Sequence, residues 1–75
     1  SMERAKETEC SSNIRQIRMS IEYYKAENSQ PPHALQDLRM PVSPSFFNCP
    51  VSGQPYQYEP GAGVVRCPTP GHQGF

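Results

Sequence analysis

The sequence predicts an α+β fold, in which a long N-terminal α-helix packs on a small antiparallel β-sheet through a Pro-rich connecting loop. Three observations predict it. The stretch from Glu3 to Asn28 holds no Pro or Gly. Its apolar residues Ile14, Ile17, Ile21 and Tyr24 fall within an arc of roughly 80° at helical periodicity. From Cys49 onward the period shortens, and two β-prone runs flank a Gly-containing turn.

Seventy-five residues make one small domain with a modest core, the size at which a cross-link is often needed. Lys and Arg balance Asp and Glu at seven each. That balance leaves no electrostatic footprint for nucleic acid or an anionic membrane. No run of about 18 apolar residues is present to span a bilayer. Ser1-Met2 reads as a cloning remnant, which leaves a single domain over residues 3–75. No Ser, Thr or Asp cap precedes a helix beginning at Glu3, so the helix is expected to continue from a longer one upstream.

The helix over residues 3–28 has one narrow apolar stripe: Cys10, Ile14, Ile17, Ile21 and Tyr24. Arg15, Arg18, Glu22, Tyr23 and Lys25 point elsewhere. Arg18 and Glu22 stand one turn apart and can pair on the surface. Asn28 tolerates a left-handed cap, and Pro31 disfavours helix at Gln30. Residues 29–48 form the connecting loop, with Leu35 and Leu38 on one helical turn. Pro41 and Pro44 prevent regular structure around Val42, and Phe46-Phe47 is expected to plug the core. Residues 49–68 form a hairpin in which Tyr56 and Tyr58 alternate with Gln57, followed by a turn over Glu59–Gly63 and a strand at Val64-Val65-Arg66. Residues 69–75 are a tail without periodicity. Leu35, Leu38, Phe46, Tyr56, Tyr58 and Val64 are expected to cover the helical stripe.

The three cysteines permit a disulfide with a spare thiol, or a metal site. Cys49 and Cys67 flank the hairpin, so a disulfide between them is the leading expectation. It would be worth about 3 kcal/mol in the chain-entropy model. Cys10, on the buried stripe, reads as a packed, unreactive thiol, with a bond to Cys49 or Cys67 as the alternative. A zinc site from Cys49, Cys67 and His72, with Cys10 or His33 as fourth ligand, is the lesser reading because no tight C-x-x-C pair occurs. His33 and His72 otherwise read as exposed polar residues. No nucleophile–base motif, zinc-protease motif or phosphate loop is present. The chain therefore reads as a non-enzyme without a cofactor. Tyr56 and Tyr58 read as packing residues rather than a stacking platform for bases.

Certain residues carry a family resemblance. They are Cys10-Ser11-Ser12-Asn13-Ile14-Arg15-Gln16-Ile17, then Tyr23-Tyr24-Lys25-Ala26-Glu27-Asn28, a proline, and Leu35-Gln36-Asp37-Leu38. Cys49-Pro50-Val51-Ser52-Gly53-Gln54-Pro55-Tyr56-Gln57-Tyr58 and Val65-Arg66-Cys67-Pro68 complete the set. In this order they resemble the soluble part of type IV pilin-like proteins, and most of all the pseudopilins of type II secretion. The resemblance spans roughly residues 4–72. It implies a structural subunit, a pseudopilin or minor pilin, that polymerises with other pilin-like subunits through its helix into a fibre of the cell envelope. It also implies an inner-membrane anchor upstream and an extracytoplasmic location, an oxidising setting in many bacteria that suits a disulfide. Arg15, Arg18 and Glu22 would then face neighbouring subunits. The family's acidic calcium loop has no counterpart here, so calcium binding is not implied. The alternative is a free-standing secreted or zinc-stapled binding module whose contact face is the Tyr56/Tyr58 hairpin.

Overall fold

The computed structural model describes residues 2–72 and 74–75, so Ser1 of the expected cloning remnant and Gln73 of the tail lie outside the described residues. The fold is α+β, a long N-terminal helix over a two-stranded antiparallel sheet. Helix α1 spans Met2–Asn28. At 1.5 Å per residue such a helix is about 40 Å long, which accounts for the 41 Å long axis of the molecule. No helix among the described residues is long and apolar enough to cross a membrane.

The predicted stripe is the centre of the core. Cys10, Ile14 and Ile17 are fully buried and Ile21 nearly so, while Tyr24 closes the stripe half-buried. The helix ends one residue later than its expected cap. Asn28 remains helical and its Nδ2 donates back to the Tyr24 carbonyl. Ser29 takes the left-handed conformation at φ 63°, and its N–H still closes on the Lys25 carbonyl at 2.8 Å. Arg18 and Glu22 do not pair with each other. The Arg18 guanidinium reaches across to the Val65 carbonyl at 3.4 Å, and Glu22 pairs with Lys25 at 3.6 Å.

Leu35–Leu38 forms the expected single turn, of 3₁₀ type, with Leu35 buried and Leu38 half-buried. A second 3₁₀ turn, Pro44–Phe47, begins on a proline, whose fixed φ suits a first helical position. Phe46 and Phe47 meet edge to face within it, with centroids 5.9 Å apart. Both rings pack half-buried against the margin of the core, so neither plugs it.

Strands β1 (Gln57–Glu59) and β2 (Val64–Arg66) pair with Tyr58 opposite Val65 and Glu59 opposite Val64. This register corrects one expected core residue. Val65 is 1% exposed and Val64 is 39% exposed. Side chains alternate across a strand, so whichever residue shares a face with Tyr58 turns inward. Tyr56 is buried just before β1, and the Tyr58 hydroxyl donates to the Pro32 carbonyl at 2.6 Å.

Candidate metal centre

Four donor groups from three parts of the chain converge beneath the hairpin: the Cys10, Cys49 and Cys67 thiols and the His72 imidazole. All four are buried, and their ligand atoms lie within 4.8 Å of one another. Helical phase places Cys10 at the head of the isoleucine stripe, one turn before Ile14. The Cys49–Gly53 turn presents Cys49. Gly53 stands at φ 75° and returns its N–H to the Cys49 carbonyl at 2.7 Å. Cys67 follows β2 directly. Gly71, at φ 87°, turns the chain so that His72 comes back onto the cluster.

Cys10 Sγ lies 3.7 Å from Cys67 Sγ, Cys67 Sγ 3.5 Å from His72 Nδ1 and Cys49 Sγ 3.7 Å from His72 Nδ1. All three cysteines are free thiols. The expected Cys49–Cys67 disulfide is therefore absent from this structure. The hairpin does bring both residues together, but Cys10 and His72 enter the same space, and Cys67 sits against Cys10 as well. Of the two possible fourth members, Cys10 joins the group and His33 is exposed. His72, expected on the surface, is 4% exposed.

Outer groups hold the donors in place. The Tyr56 hydroxyl donates to Cys10 Sγ at 3.3 Å, and Asn13, bordering the same stripe, is buried with it. Burial pushes the Cys10 thiol well above its ordinary range, and the neighbouring thiols add to that rise against the Tyr56 hydrogen bond. Burial acts the same way on Cys49. There it is outweighed by hydrogen bonds from the Thr69 hydroxyl and from the backbone N–H groups of Ser52 and Val51, which hold this thiol low. Thr69 is itself bonded to the Ser52 hydroxyl at 2.7 Å. The Phe75 ring lies 4.5 Å from the His72 ring and fixes its plane.

Asn13, Thr69 and Phe75 are the supporting residues that sequence reasoning missed. Their signal is faint: Asn13 borders the stripe, and Cys49 and Cys67 each open a Cys-Pro step that reaches a Gly four residues on. No family model, curated protein or solved structure matches the chain.

Proposed function

We propose that the chain is a structural subunit, a pseudopilin or minor pilin, that assembles with other pilin-like subunits into a bacterial envelope fibre of the type II secretion or type IV pilus kind. The reading rests on the resemblance together with one observation, the exposure profile of α1. Residues Arg4–Glu9 are exposed all round, and burial begins only at Cys10. Further along, Met19 and Tyr23 are each 68% exposed on the side opposite the isoleucine stripe. A helix that projects past its own core and keeps large apolar groups outward is suited to packing against other helices. In this reading the subunit is anchored in the inner membrane by an upstream segment before assembly, and its head lies outside the cytoplasm.

The reading is non-enzymatic. A thiol beside an imidazole is a catalytic pairing, but Cys49, Cys67 and His72 are each 5% exposed or less, and of the three only Cys49 borders an open concavity, the one shared with Asn13, Phe46 and Gly53. The open groove lined by Met19, Tyr23, Leu38 and Arg39 contains none of these groups. A free-standing zinc-stapled module is the second reading, with which the Cys3His donor set is also compatible. Its proposed contact face fares poorly, since Tyr56 is buried and the Tyr58 hydroxyl is engaged by Pro32.

Reading the gene upstream of the Glu3 codon tests the fibre reading. About 20 apolar residues behind a short cleavable leader are expected, enough to cross a bilayer as a helix. A polar upstream sequence or a stop codon there overturns it.

A further inference from the structure

We propose that Cys10, Cys49, Cys67 and His72 together hold a single zinc ion, which clamps α1 to the hairpin and the C-terminal segment. The first support is metric. With zinc–sulfur bonds of about 2.3 Å and zinc–nitrogen bonds of about 2.0–2.1 Å, a regular tetrahedron has S···S edges of about 3.8 Å and S···N edges of about 3.5 Å. The observed separations are 3.7 Å for the sulfur pair and 3.5 and 3.7 Å for the sulfur–nitrogen pairs. Three of the six edges thus match a zinc tetrahedron, and the other three are no longer than 4.8 Å.

The second support is chemical. Three thiols and an imidazole, with no carboxylate among them, suit zinc and not calcium or magnesium. All four ligand atoms fall within 4.8 Å of one another, which leaves room for one ion and not for a cluster shared between two irons. Four protein ligands close the coordination sphere, so the site is structural and offers no open position to a substrate. Binding through Nδ1 leaves the imidazole proton on Nε2. The third support is the outer shell. The Tyr56 hydroxyl donates to Cys10 Sγ at 3.3 Å. Such a donor stabilises thiolates that carry more negative charge than one dication neutralises.

This inference stands apart from the fibre reading and fails or holds by itself. The reduced 75-residue chain, purified without chelator, is expected to carry one zinc per molecule by elemental analysis and native mass spectrometry. Cobalt added to the metal-free chain is expected to give the intense visible bands of a tetrahedral site, with thiolate charge-transfer in the near ultraviolet, and zinc is expected to displace it at equal stoichiometry. H72C keeps one cobalt per chain and moves those bands to the red. H72A lowers zinc affinity at least about a hundredfold, the upper end of what loss of even an outer-shell partner costs. H33A changes nothing. Should C10S or H72A fail to fold, thiol labelling of the unmodified chain decides: all three cysteines are protected with zinc and all three react once a chelator is added. Iron in place of zinc, weak octahedral cobalt bands, a disulfide in the freshly reduced and repurified chain, or labelling indifferent to the chelator each overturns the proposal.

Discussion

Gly63 is where the hairpin meets the end of the helix, and it illustrates how a single Cβ can matter. Its φ is 67°, and a Cβ built there would lie 3.0 Å from Pro31 Cβ and 3.6 Å from Ile21 Cγ2. Pro31 has no rotamer with which to give way. Gly53 has a similar φ of 75° but nothing within 4 Å of its absent Cβ. Both glycines to alanine should lose the left-handed backbone term of about 1–2 kcal/mol. Gly63→Ala should lose a further ~1 kcal/mol or more for the crowding against Pro31. Urea unfolding of the two variants under identical zinc-replete conditions measures the difference. Equal midpoints would mean that the approach of Gly63 to Pro31 has no energetic weight.

At the scale of elements, α1 divides its surface between the head and the outside. Arg18 and Glu22, two of the three expected subunit contacts, are engaged within the chain with Val65 and Lys25. Arg15 is exposed, and Met19 stands one turn further along, opposite the stripe. On the fibre reading proposed above, Arg15→Glu combined with Met19→Asp should leave the head folded by circular dichroism yet abolish incorporation into fibres, as seen by cross-linking and immunoblotting. Wild-type incorporation would remove this face from the assembly. The helix was legible in the sequence because 3.6-residue periodicity is local, and Ile14, Ile17 and Ile21 carried it unaided. The hairpin was legible from its Gly-containing turn. The phase of β2 was not, since three residues contain too few alternations, and only pairing with Tyr58 decides between Val64 and Val65. The Cys10–Cys49–Cys67–His72 cluster was half legible. Cys49, Cys67 and His72 lie in one stretch, but Cys10 joins them across 57 positions, a juxtaposition that exists only once α1 is laid on the hairpin.

At the scale of the whole molecule, stability is the question. An elongated chain of 8.4 kDa exposes 5089 Å², against about 4,600 Å² for a typical folded monomer of that mass. Among the described residues its core holds nine buried hydrophobic ones, and three of those are the cysteines of the cluster. Apolar burial alone is therefore thin, and an isolated helix with so polar an exterior is marginal in water. A zinc ion bound to the folded state and not to the unfolded chain would supply the difference, adding about 1.4 kcal/mol for each tenfold rise in free zinc above the dissociation constant. For a domain of this size that increment corresponds to roughly 6–11 °C in melting temperature. Thermal unfolding in reducing, metal-buffered solutions at stepped free zinc should show this slope, and excess chelator should abolish the cooperative transition and the near-ultraviolet tyrosine signal, with recovery on adding zinc. A melting temperature independent of free zinc, with the transition intact in chelator, would mean that Ile14, Ile17, Ile21 and Val65 hold the head together without the ion.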